Sequence, residues 1–181
     1  MNRTSQVVRW ESTADSSLCG VEVEGLALRE PEAPRTLRID NPTFVLASLG
    51  SAKPADLAAA ISRASAAYGN ARACMALNAG ALSALDVRFL RERNIGVVLD
   101  GVDERTPLSA LSSEPVEALR FEPSFIARAM KNGRLACVLD AMLSLAHDLG
   151  IATLGTSVGQ GSLAAQRFAF DYVPKRSAGG T

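Results

Sequence analysis

From Ile95 to Pro174 the chain alternates two signals: short runs that are apolar throughout, and longer runs that are apolar every third or fourth residue. The short runs are GVVLDG (96–101), VEALRFE (116–122), IATLGT (151–156) and DYVP (171–174). Between the second and third, Ser124 to Gly150 has helical spacing, with Ile126 and Met130 on one face and Val138, Leu139, Met142, Leu143 and Ala146 continuing it. Asn132-Gly133 interrupts that run, which leaves one broken helix or two. Strands that are apolar on both faces and joined by helices form a parallel sheet with the helices outside. Such folds do their chemistry at strand ends, and here those ends hold Asp100, Glu122, Thr156 and few other reactive side chains.

The first half extends the pattern. SQVVRW (5–10) and CGVEVEGLAL (19–28) read as two strands able to pair as a hairpin, and the proline-rich 29–42 segment reads as loop. PTFVLASLG reads as one helical turn closed by Gly50. Lys53 to Tyr68 reads as a helix, with Pro54 near its start, Asp56 in the first turn, and Leu57, Ile61 and Ala64 on one face. ARACMAL (71–77) is predicted as a strand, and Leu82 to Arg93 as a helix with Leu82, Leu85 and Phe89 together. A short helix is expected near Ser162 to Phe168, and KRSAGGT as a frayed tail. One domain over 1–176 with a tail at 177–181 follows from 181 residues at 48% hydrophobic content, enough for one core.

Charge narrows the function classes. Nineteen lysines and arginines balance nineteen aspartates and glutamates, so no overall field favours nucleic acid or an anionic membrane. Cys19, Cys74 and Cys137 lack metal-ligand spacing and suit a reducing cytoplasm, with Cys74 and Cys137 expected in the core. No apolar run has the length of a signal peptide or a membrane span, so a cytoplasmic protein is expected. His147 lies in the last turn of its helix, where a cation suits the dipole. Met130 and Met142 read as core fillers, and GTSVGQGS (155–162) as either a connecting turn or a phosphate cradle.

GVVLDGVD, TPLSALSSEPVEALRFEPSFI, LSLAHDLGIATLG and the terminal DYV, in that order and spacing, resemble the second half of the EAL domain of bacterial cyclic-diguanylate phosphodiesterases. SQVVRW, VEGLALRE and NPTFVLASLG are similar to its first strand, its name-giving strand and the short helix that follows. The resemblance implies a TIM-like (β/α) barrel. It also implies hydrolysis of cyclic diguanylate (c-di-GMP) by two divalent cations held by carboxylates and an asparagine, since hard cations take oxygen ligands at both the attacking and the leaving oxygen.

Carried over residue by residue, the resemblance implies a site with its ligands replaced. The motif glutamate falls on Gly25 if Arg29 keeps the motif arginine, and on Glu24 if it does not. The asparagine falls on Ala76, with Asn78 two positions on. The paired aspartates match Asp100 and Gly101, the catalytic lysine Arg120, the following aspartate Glu122, and the last acidic positions Thr156 and Gly159. Arginine substitutes poorly for a lysine that handles water, because it stays protonated and forks onto oxyanions. A full barrel needs about 250 residues, so the chain is expected to be a shortened and incomplete one of about seven strands, the gap falling between Asp86 and Val87. The open edge then calls for self-association or a protein partner.

The expected function is a catalytically inactive EAL-like regulator acting through protein contacts, with no cofactor and no bound metal. The alternative is a receptor that binds c-di-GMP without hydrolysing it, through Arg29, Asp100, Arg120 and Glu122. Residual phosphodiesterase activity using Glu24, Asp100, Asp103 and Glu122 ranks third. Asp100, Arg120 and Glu122 are expected to meet in the barrel mouth, either as ligand contacts or as mutual ion pairs filling a former cavity.

Overall fold

Eight strands close into a ring, each paired with the next in chain order: β1 (Val7–Ser12), β2 (Leu18–Glu24), β3 (Phe44–Ser48), β4 (Arg72–Asn78), β5 (Gly96–Val102), β6 (Ala118–Phe121), β7 (Ala152–Leu154) and β8 (Tyr172–Pro174). The structure, a computed structural model, describes residues 7–12, 18–24, 44–48, 53–67, 71–79, 84–107, 109, 116–155, 168 and 170–174. From β2 to β8 all neighbours are parallel, whereas β1 runs antiparallel to both β2 and β8. The predicted hairpin is therefore present, with Trp10 opposite Gly20.

Helices α1 (Pro54–Ala67), α2 (Ala84–Arg91), α3 (Pro123–Ala129) and α4 (Gly133–Asp148) lie between strands in the chain. The interruption at Asn132-Gly133 makes two helices: the Asn132 side chain accepts from the backbone N–H of Arg134 (3.0 Å) and Leu135 (3.3 Å), capping α4, and Pro123 opens α3. Gly150, at φ 68°, turns the chain from α4 into β7.

The core has two layers. Inside the ring, Trp10, Leu46, Cys74, Ala76, Val98, Ala118 and Leu154 pack together, the inward set of alternate strand positions. Outside it, Leu57, Ile61, Val87 and Leu90 pack on β3–β5, and Phe125, Ile126, Leu139 and Leu143 pack on β5 and β6 with Phe168 and Phe170. Burial of each such leucine or phenylalanine contributes about 1.5–3 kcal/mol. Phe121, Phe125, Phe168 and Phe170 form a chain of ring contacts at 5.9–6.5 Å between centroids.

The barrel is as expected, but its strand count and closure are not. Phe44–Ser48, expected as a helical turn, is strand β3: a five-residue run whose middle is apolar on both faces is too short for a period to separate strand from helix. Adding it to the seven predicted strands gives eight, and the ring is closed rather than open at an edge. Nothing is missing between Asp86 and Val87, because α2 runs through both and leads into β5. Two burial expectations also change: Cys137 is exposed, and Val138, placed on the core face of its helix, is 40% exposed. Met142 and Cys74 are buried, and Met130 packs half-buried against the core. The expected helix near Ser162 and the GTSVGQGS loop beyond Gly155 lie outside the described residues.

Candidate functional site

The carboxyl ends of β2 to β6 form one rim of the ring, and alternation aims every second side chain of each strand inward. Register aligns Leu46 with Glu22, Ser48 with Ala76, Asn78 with Asp100, and Asp100 with Arg120. Polar side chains from four strands therefore meet at one level of the mouth.

Arg120 is the hub. Its Nε and Nη2 donate to Asp100 Oδ1 (2.7 Å) and Oδ2 (2.5 Å), a two-pronged contact across the β5–β6 pair. Its Nη1 donates to Glu22, whose carboxylate also accepts from the Ser48 hydroxyl; Nη2 lies 3.5 Å from Ser48 Oγ. The Arg120 and Glu22 side chains are 14% and 10% exposed, so this is a nearly desolvated cation between two anions. Burial works against the Arg120 charge but is outweighed by the hydrogen bonds it donates to Asp100 and by the charge of Glu22, so its pKa is raised above the ordinary value.

Gly101 follows Asp100 at φ 73°, where the β5–β6 register slips by one residue. That left-handed conformation favours glycine, and a Cβ there would lie 3.7 Å from Asn78 Nδ2 and 3.8 Å from Glu122 Oε2. Glu122 thus stands at the rim beside Asn78, apart from the Arg120 cluster; its carboxylate makes no hydrogen bond among the described residues. Asp103 is drawn into its own turn, its carboxylate accepting from the Arg105 N–H (2.8 Å) while its backbone N–H donates to Thr106 Oγ1. The neighbouring Glu104 takes both prongs of Arg128 at 2.7 Å, tying this loop to α3.

The opposite end of the ring is also closed by polar contacts. Arg72 Nε donates to both Glu117 oxygens at 3.0 Å, passing over Gly96, and Arg72 Nη1 reaches Asn94. Cys74 lies beside this pair, where burial first and then the Glu117 charge push its thiol up to about 12. His147, at the end of α4 that leads into β7, lines an outer cleft of about 490 Å³ at this end, far from the mouth.

Asp100 and Arg120 therefore meet as the sequence predicts, Glu122 stays apart, and Arg29 lies outside the described residues. Two members of the cluster escaped the sequence reading. Glu22 has the same strand parity as Glu24 in VEVE, and Ser48 was hidden because its strand read as a helix. The extra strand also moves Arg72–Asn78 from third to fourth place, so Ser48 and not Ala76 ends the third strand. No group of three or more histidine, cysteine, aspartate or glutamate side chains among the described residues is placed to hold a metal ion.

Solved structures supply the comparison. The chain matches the EAL domain of Mycobacterium smegmatis DcpA with a TM-score of 0.64 at 15% identity, over 96% of this chain and 90% of that one. The fold is that of an EAL domain. The PaMucR phosphodiesterase in its c-di-GMP complex matches at TM-score 0.70 and 14% identity, over 94% of this chain and 92% of that one. The EAL domain of FimX from Pseudomonas aeruginosa, bound to c-di-GMP, matches at 0.66 and 15% identity, over 94% and 88%. No protein-family model and no curated protein matches the sequence. At these identities the EAL likeness is one of fold, and any activity must be argued from this chain's own residues. No helix among the described residues is long and apolar enough to cross a membrane.

Proposed function

We propose that this EAL-fold chain is catalytically silent and acts as a regulator through protein contacts. The observation that carries the reading is the Arg120 cluster: an arginine occupies the mouth and engages Glu22 and Asp100, carboxylates otherwise free to serve divalent cations. A guanidinium cannot polarise a phosphoryl oxygen and activate water together as a metal pair does, and it does not release a proton at neutral pH. Its charge also competes with any cation for the same oxygens. The test is hydrolysis of labelled c-di-GMP with magnesium or manganese. No turnover above the uncatalysed rate is expected, and metal-dependent turnover overturns the reading.

A receptor that holds c-di-GMP without cutting it is the second reading, favoured because the similar FimX domain is bound to that dinucleotide. Charge weighs against it here. Glu22, Asp100 and Glu122 outnumber Arg120 at the mouth, so the described rim repels a ligand carrying two phosphates unless cations bridge them. Titration calorimetry separates the two readings: a silent scaffold gives no heat with micromolar dinucleotide, and saturable heat selects the receptor.

A further inference from the structure

Closure of the ring removes the open edge as a reason to expect a partner, yet a second surface calls for one. Outside the mouth, where β5 and β6 lead into α3 and α4, Arg105, Arg128, Lys131 and Arg134 are all exposed. The two carboxylates among them are already engaged. Glu104 takes both prongs of Arg128, while Asp103 accepts from the Arg105 N–H (2.8 Å) and lies 3.4 Å from Thr106 Oγ1. Arg105, Lys131 and Arg134 are thus in no ion pair among the described residues. Around α2, by contrast, Arg88 pairs with Glu92, Arg93 lies 3.7 Å over the Phe89 ring, and Arg91 stands in the last turn, where the dipole favours a cation.

This crowding costs the fold stability. Arg128 and Lys131 closely precede Arg134, which stands in a first turn of α4 that holds no acid, so like charges gather where the helix dipole also opposes them. A breach of local consistency that no internal contact offsets marks a surface shaped by function. What the surface lacks is negative charge. Its surroundings narrow what can bring it: Asp100 and Glu122 stand at the mouth ends of β5 and β6, and the whole chain balances nineteen cations with nineteen anions. A nucleic acid or an anionic membrane laid across this rim would meet repulsion and gain no long-range attraction. A short acidic stretch of a protein covers the cations alone, and arginine forks grip carboxylates as Arg128 grips Glu104.

We propose that Arg105, Arg128, Lys131 and Arg134 form the contact surface for an acidic segment of a protein partner, an assignment that rests on the chain acting through protein contacts. Exposed charge pairs are each worth little, so this surface sets the on-rate and the choice of partner more than the affinity.

The test uses a short fluorescent peptide of glutamates, titrated with the full chain and followed by anisotropy. Wild type should bind it saturably, and binding should weaken as salt rises, because exposed charges are screened. Reversing the surface, Arg105→Glu with Lys131→Glu and Arg134→Glu, should weaken binding at least tenfold. The same change in net charge at exposed positions elsewhere, Lys53→Glu with Arg63→Glu and Arg91→Glu, should leave binding within twofold. A second readout needs no partner: since Arg134 stands at a cost to the fold, Arg134→Glu alone should raise the midpoint of urea unfolding. No saturable binding, equal loss in the two triple variants, or equal affinity for a single-stranded oligonucleotide or phosphatidylserine vesicles overturns the proposal. So does a lowered midpoint in Arg134→Glu. Turnover of c-di-GMP by wild type would end the silent reading of the mouth and leave these outcomes as they are.

Discussion

Arg120 shows how one side chain both fills and disarms a site. Removing it leaves the buried Glu22 and the half-buried Asp100 as neighbouring anions, a cost normally larger than the net value of the intact pair. Arg120→Ala should lower unfolding free energy in urea by roughly 3 kcal/mol, the low end of the range for buried pairs because Asp100 keeps 35% exposure. Cys74 gives a pH signature at the other end of the ring. Its unfolded thiol ionises near 9.0 while the folded one holds its proton to about 12, so between those values the unfolded state binds fewer protons and stability falls as pH rises. The loss is at most roughly 4 kcal/mol by pH 12, with nothing lost below pH 9. Urea titrations across this window should show the decline in wild type, flattened in Cys74→Ala. The Asp100–Arg120 contact was legible because both residues sit at strand ends with matching parity. Glu22 was not, since parity alone does not choose between it and Glu24.

Elements were legible in proportion to their length. The fourteen residues of α1 and the sixteen of α4 announce themselves by period and end signals, and both lie within two residues of the expected bounds. The five residues of β3 carry no period, and reading them as a helical turn hid Ser48 and left the strand count one short, while the short chain length pointed to an open ring. Cys137 and Val138 failed for another reason: apolar residues on both sides of α4 look like one broad core face until packing shows which side the barrel takes. Asn132 is the signal that separated α3 from α4, and its side chain satisfies two N–H groups at the start of α4. Asn132→Ala should destabilise the chain by about 1 kcal/mol in urea unfolding, whereas Asn132→Ser or Asn132→Asp should cost little.

At the scale of the whole molecule, the barrel depends on the last short strand. β8 joins β7 at Leu154–Tyr172 and β1 at Trp10–Pro174, Glu11–Val173 and Ser12–Tyr172, so it closes the ring. Deleting 172–181 would expose the edges of β1 and β7 and uncover the interior around Trp10 and Leu154. That truncation should aggregate or elute far above monomer mass in size-exclusion chromatography, whereas deleting 177–181 alone should leave elution unchanged. The eightfold count was hidden in the sequence by one strand, but the alternation that generates a barrel was not. The reversed direction of β1 carries a practical consequence: the polypeptide enters the ring and leaves it on the rim that holds Arg120. A fluorophore placed where β1 begins or where β8 ends would therefore stand beside that opening, and each of these strand ends offers a handle for blocking it or for reporting what approaches.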